Sequence, residues 1–182
     1  MRVGILGGSG FVGQALAARL AADGHRVRVW TRRRERHREL LVLPELELVE
    51  GDVYQPGFLR EQFAGLDVVV NLVGILNESG RSGRGFHRAH AELPERVVEA
   101  MRGVGVNRLL HMSALNAAAQ APSHYLRSKA VGEEVVRRSG LRWTIFRPSV
   151  IFGPHDSFVN RFAALLRLMP GVFPLACPDA RL

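Results

Sequence analysis

A short apolar run that breaks into glycines and re-emerges as a helix pattern limits this chain more than any other feature. Arg2–Leu6 is apolar after its first residue, and Gly7-Gly8-Ser9-Gly10-Phe11-Val12-Gly13 follows at once. Phe11, Ala15, Ala18 and Ala22 then recur at helical spacing, and Gly24 closes the segment. Strand, tight turn and helix read off in that order. Gly7 permits the turn. Gly10 leaves no Cβ where another group must approach, and Gly13 lets the helix pack on the strand.

The same alternation runs down the chain. Strands are expected at Arg26–Thr31, Leu46–Glu50, Asp67–Val73, Arg108–Met112 and Leu141–Phe146. Helices are expected at Arg33–Leu43, Pro56–Phe63, Phe86–Gly103, Tyr125–Ser139 and Asp156–Met169, with a glycine-rich loop at Ser79–Gly85. Strands of about five residues separated by helices specify an α/β fold, a doubly wound parallel Rossmann sheet. Right-handed crossovers put helices on both faces, and the expected strand order is 3-2-1-4-5-6. Residues 1–154 make the nucleotide-binding domain. Residues 155–182 read as the start of a C-terminal substrate segment that stops early, because Pro170–Pro178 has no periodicity.

With 182 residues, 47% of them hydrophobic, the chain has enough for one sizeable core and is not disordered. A single cysteine, Cys177, excludes an internal disulfide framework and a multi-cysteine zinc site. The N-terminal apolar run is too short for a signal peptide, and no run reaches the ~18 apolar residues of a membrane span. A cytoplasmic location fits. The net charge is +8, with seven arginines between Arg26 and Arg38. That run lacks interleaved aromatic residues and any nucleic-acid motif, so it reads as a solvated face, a phosphate site or an anionic partner surface, and not as a nucleic-acid site.

A glycine turn between a first strand and its helix offers free N–H groups and a helix dipole to a pyrophosphate. The turn Gly7–Gly13 is therefore read as the dinucleotide site, with Gly7, Gly10, Phe11, Val12 and Gly13 contributing backbone. NAD-binding turns of this kind usually place an acidic residue at the end of the second strand, on the ribose hydroxyls. Here that end reads Thr31-Arg32-Arg33-Arg34. Guanidinium groups suit a 2′-phosphate, so NADP(H) is expected in preference, led by Arg32 with Arg33 beside it, and NAD(H) is the alternative. The competing reading is that these arginines open a solvated helix. Asp52 and Val53 follow the third strand near an adenine; Asp52 accepts from its amine or caps the next helix. Val73 and Gly74 end the fourth strand where the cofactor passes.

Tyr125-x-x-x-Lys129 puts a phenol and an ammonium on one helix face. The ammonium is expected to lower the Tyr125 pKa and make it a usable acid or base, with Lys129 also reaching the nicotinamide ribose. Ser113 ends the fifth strand, where it polarises a substrate oxygen or simply closes the strand. His87 and His90 are three apart on one helix, but no third ligand joins them, and no metal is expected.

The stretches Gly7-x-x-Gly10-x-x-Gly13, Asp52-Val53, Asn71-Leu72-Val73-Gly74, Tyr125-x-x-x-Lys129 and Arg147-Pro148-Ser149-Val150-Ile151-Phe152-Gly153-Pro154 resemble the extended short-chain dehydrogenase/reductase superfamily. Met112-Ser113-Ala114-Leu115 and Tyr125–Ala130 are similar to its atypical group, which includes the nucleotide-binding accessory subunit of respiratory complex I and bacterial epimerase/dehydratase-like relatives. The resemblance implies an NADP(H)-dependent oxidoreductase or a nucleotide-sugar epimerase-like enzyme acting on a small molecule, with Tyr125, Lys129 and Ser113 as its catalytic set. Its alternative is a non-catalytic module that holds NADP(H) at the periphery of a membrane complex, on the inner membrane. Two departures stand out: Ser113 and Tyr125 are only twelve residues apart, and the substrate domain of extended members is not visible.

Overall fold

A computed structural model describes residues 1–78, 80, 82–153, 156 and 167. The chain divides into two compact units, Met1–Arg147 and Pro148–Leu182. The helix expected over 156–169 and the tail after it fall almost wholly outside the described residues.

The first unit carries a six-stranded sheet. Its strands are β1 (Arg2–Leu6), β2 (Arg26–Thr31), β3 (Leu46–Glu50), β4 (Val68–Asn71), β5 (Arg108–Met112) and β6 (Arg142–Phe146). They pair in the order β3-β2-β1-β4-β5-β6, all parallel, which is the order the alternation implies. Strand alternation sorts the core into two layers. Val3, Ile5, Val27, Val29, Leu48 and Val70 form one with Ala17 of helix α1 (Phe11–Ala22). Leu6, Trp30, Val69 and Leu109 form the other with residues of α2 (Phe58–Phe63), α4 (Leu93–Val104) and α5 (His124–Arg137). Gly4 belongs to that second face, where a Cβ would strike the Trp30 indole at 2.5 Å.

Three elements differ from their sequence reading. Arg33–Leu43 is not a helix. It holds only two tight 3-10 turns, Arg34–Arg36 and Arg38–Leu40, because Leu40 is the single buried side chain and no apolar stripe supports more. β4 stops at Asn71 and does not reach Val73, because the Asn71 side-chain oxygen accepts the Val73 N–H at 3.1 Å and turns the chain. The helix expected over Phe86–Gly103 is interrupted. A short helix α3 (Arg84–His87) widens into a π turn at Arg88–Glu92 before α4. Pro94 has no N–H to return to the His90 carbonyl four residues earlier. Gly132 of α5 lies against that carbonyl, and a Cβ there would overlap its oxygen.

Candidate functional site

A cavity of about 790 Å³ opens over the C-terminal ends of β1, β2 and β4. Gly7 and Gly10 form one wall, Arg32 and Arg33 a second, and Asp52 and Val53 a third, with Val73 and Gly74 beside them. The sheet thus brings together residues that lie far apart in sequence. Phe11, Val12 and Gly13 do not line the wall. They are the first residues of α1, whose N-terminus is Gly10 with no capping side chain and no acid in the first turn. Gly7 sits at φ 75°, and a Cβ on it would crowd the Leu72 backbone at 3.0 Å. A Cβ on Gly13 would overlap the Gly7 carbonyl, so Gly13 is a packing residue beneath the turn.

Arg32, Arg33 and Arg36 all face the cavity, and among the described residues none of them is held in an ion pair. His37 joins them on the wall. Asp52 is the single carboxylate there among the described residues. Its side chain accepts the Tyr54 N–H at 2.9 Å, which shapes the turn after β3, while the helix that follows is capped by Gly57 instead. Arg36 and His37 were missed in the sequence because the irregular path of this segment, and not helical spacing, aims them inward.

The second cluster lies under α5. Tyr125, Lys129 and Glu133 follow one another at four-residue steps on that helix. The Lys129 ammonium is 3% exposed and donates to the Met112 carbonyl at 3.1 Å. A Cβ on Gly74 would sit 3.1 Å from its Nζ, so Lys129 lies directly beneath the cavity floor. Burial pulls its pKa down to about 8. The Tyr125 ring centroid is 6.0 Å from that Nζ. The expectation that the ammonium lowers the phenol is overturned here: burial dominates, and the Tyr125 pKa is raised.

Ser113 is buried, and among the described residues its hydroxyl closes no hydrogen bond of normal length and angle. Burial pushes the Glu133 pKa up, and Arg147 first, with Ser113 and Arg137 after it, brings it below the usual carboxylate value. Arg147 grips Glu133 with two contacts, at 2.7 and 2.5 Å, and Arg137 adds a third at 3.3 Å. His111 is buried beside them; its Nδ1 meets the Asn71 amide at 3.3 Å, and its Nε2 has no hydrogen-bond partner among the described residues. Burial, then the Lys129 charge, brings its pKa to about 4. His90, equally buried, is brought to about 3 by burial first and by Lys129 and His111 after it. Sequence reasoning noted His90 only as a metal ligand it set aside and Arg147 only as part of a motif, and gave neither them nor His111 and Glu133 a place in the site. One signal existed: Glu133 continues the Tyr125–Lys129 stripe by a further helical turn.

Among the described residues no three His, Cys, Asp or Glu side chains cluster as a metal site, and no helix is long and apolar enough to cross a membrane.

Comparison with known proteins shows the family and the fold. A family profile described as NAD(P)H-binding matches residues 7–156. A ceramide reductase of Caulobacter vibrioides is 35% identical over 158 residues, which cover 85% of this chain and 48% of the relative. The mouse mitochondrial NADH dehydrogenase [ubiquinone] 1 alpha subcomplex subunit 9 is 37% identical over 121 residues, 66% of this chain and 32% of the relative. This chain therefore matches about half of the length of the first relative and about a third of the second. Among solved structures, the dTDP-glucose 4,6-dehydratase DesIV of Streptomyces venezuelae, with NAD bound, superposes with a TM-score of 0.76 at 23% identity. That match covers 96% of this chain and 64% of the other, and shows the fold.

Proposed function

Because the chain belongs to the NAD(P)H-binding family, of the extended short-chain dehydrogenase/reductase type, we propose that it is an NADP(H)-dependent reductase domain acting on a small-molecule carbonyl or alcohol. The observation that carries the cofactor preference is the group of three unpaired guanidiniums, Arg32, Arg33 and Arg36, on the cavity wall. An uncapped helix start accepts a pyrophosphate, and a planar guanidinium grips a 2′-phosphate in a fork. The glycine turn leaves room for both. Asp52 is engaged in its own turn, which weakens the adenine role and leaves one of its oxygens for the ribose or base.

The nicotinamide, when bound, supplies or takes a hydride. The chain's own residues handle the proton. Tyr125 is kept protonated by burial, which suits a phenol that donates to a carbonyl oxygen. Lys129, with a pKa near 8, is a poised ammonium under Gly74, able to bond to a ribose hydroxyl and to recharge the phenol. Ser113 is turned toward Glu133 and has a positioning part at most.

The test is a titration with NADPH and NADH followed by nicotinamide fluorescence. NADPH is expected to bind about tenfold more weakly to Arg32→Ala than to the parent, with NADH unchanged, from the loss of one charge-assisted contact worth ~1.4 kcal/mol. Equal affinity for the two cofactors in the parent protein sinks the phosphate reading.

A second reading is a non-catalytic module that carries NADP(H) as part of its structure, in the cytoplasm and at the edge of an inner-membrane complex. The likeness to the complex I subunit and the inward-facing Ser113 favour it. If Tyr125→Phe leaves function in cells intact, this second reading stands and the proton-transfer role falls.

A further inference from the structure

His90 sits in the π turn between α3 and α4, 1% exposed, with every ring hydrogen accounted for. Its Nε2 lies 3.0 Å from the backbone N–H of Ile75, a group that can only donate, so Nε2 is the acceptor and carries no hydrogen. Nδ1 then holds the proton and donates to Ser128 Oγ at 2.8 Å. Ser128 in turn donates to the Tyr125 carbonyl at 2.8 Å. The result is a one-directional chain from the Ile75 amide through His90 and Ser128 to the turn of α5 that carries Tyr125.

The two ends of this chain belong to different parts of the site. Ile75 lines the dinucleotide cavity. Tyr125 packs edge-on to the His90 ring, with centroids 5.4 Å apart and planes at 85°. Phe86 stacks on the imidazole at 5.9 Å and closes the third side. The backbone holds His90 at this point. Pro94 withholds its N–H and widens the helix, and Gly132 lets α5 close on the His90 carbonyl. A helix of even pitch would carry the imidazole to another angle, and a side chain at Gly132 would push the two helices apart.

We propose that His90 is a positioning residue: one imidazole of fixed tautomer sets the cavity wall at Ile75 against the phenol of Tyr125. Its cofactor arm rests on the dinucleotide reading of the cavity given above. The hydrogen-bond chain itself does not. His90 makes no hydrogen bond to the Tyr125 hydroxyl; it packs edge-on against that ring and acts through Ile75 on one side and Ser128 on the other. A buried imidazole that serves only to fill space tolerates phenylalanine. One that wires two elements together needs an acceptor at the ε position and a donor at the δ position.

The experiment combines 15N-histidine spectroscopy with cofactor titration on the parent protein and three variants. At pH 7 the His90 ring should show a protonated Nδ1 and a bare Nε2. The Ile75 amide should exchange with solvent at least tenfold faster in His90→Phe, and NADPH should bind about tenfold more weakly. His90→Gln offers an acceptor at similar reach and should recover most of both. Ser128→Ala, which does not line the cavity, should also weaken NADPH binding several-fold. It carries the test if His90→Phe fails to fold. A protonated Nε2 or a doubly protonated ring in the parent overturns the proposal. So does NADPH binding that is unchanged in both His90→Phe and Ser128→Ala. If the parent binds neither dinucleotide, the cofactor reading fails by itself, while the tautomer and the Ile75 exchange rates still decide the wiring.

Discussion

The glycine turn and the polar cluster under α5 lie at the ends of neighbouring strands, yet they are built from opposite materials. The turn is made of backbone. Gly7, Gly10 and Gly13 work through the side chains they lack, and its charged neighbours Arg32, Arg33 and Arg36 are exposed, with no ion pair among the described residues. The cluster is made of side chains. Lys129, Glu133, His90, His111 and Ser113 are all nearly excluded from water, and each ion or ring is held by neighbours or by a shifted pKa. The first region meets its charge from outside. The second carries its own and meets the desolvation cost internally. A glycine turn is thus sensitive to volume, and a buried polar cluster is sensitive to pH.

Volume gives the largest expected effect. A methyl at Gly13 overlaps the Gly7 carbonyl and one at Gly132 overlaps the His90 carbonyl. Neither neighbour is a flexible side-chain tip. Gly13→Ala and Gly132→Ala should each cost about 4 kcal/mol or more in urea unfolding. If the regions differ as argued, Gly10→Ala should fold normally and lose cofactor affinity only, since its Cβ meets one carbonyl at 3.3 Å.

The acid response comes next. His90 and His111 have folded pKa values near 3 and 4, below the ordinary value of 6.5. Between pH 6.5 and about 4 the unfolded chain binds protons that the folded one refuses. The stability these neutral rings contribute is therefore complete above pH 6.5 and lost as pH falls. Denaturation at pH 7 and pH 5 should differ by on the order of 2 kcal/mol for each ring. The midpoints of His90→Phe and His111→Phe should be flatter over that range. An unchanged pH slope in both would break the contrast between the regions.

Lys129 carries the same sign into an alkaline window, where stability again rises with pH. Its folded pKa is near 8 and its ordinary value is 10.5, so the cost of burying the ammonium is full below pH 8 and relieved as pH rises to 10.5. Lys129→Met should gain about 2 kcal/mol at pH 7, after the bond to Met112 is lost. It should also flatten the acid response, because the Lys129 charge helps depress both histidines. The smallest effect is expected at Glu133. Glu133→Gln keeps the volume and leaves Arg147 and Arg137, each nearly half exposed, to water, so the cost should be about 1 kcal/mol by calorimetry.

Strand order and the glycine turn were legible because both follow from short-range pattern. An apolar five-residue run between helices has one way to bury both faces, and a glycine needed for its missing Cβ is visible wherever it stands. Tyr125 and Lys129 were legible by helical spacing. The Arg33–Leu43 segment was misread because charge density was taken for a helix face, although only Leu40 anchors it to the core. The end of β4 was overrun because an apolar run cannot show that the Asn71 side chain takes the next amide but one.

By itself, then, the sequence determined a parallel sheet with a glycine turn at its first crossover and a phenol–ammonium pair at its fifth. These are consequences of periodicity and of local backbone freedom. Only tertiary structure decided what the pair stands in. Packing of α4 against α5 buried His90 and His111 around Lys129, raised the phenol where spacing alone implied lowering, and turned Ser113 toward Glu133. The physical reason is that desolvation depends on every atom that excludes water. Those atoms come from five strands and helices spread between Asn71 and Arg147, and no local window of sequence holds them together.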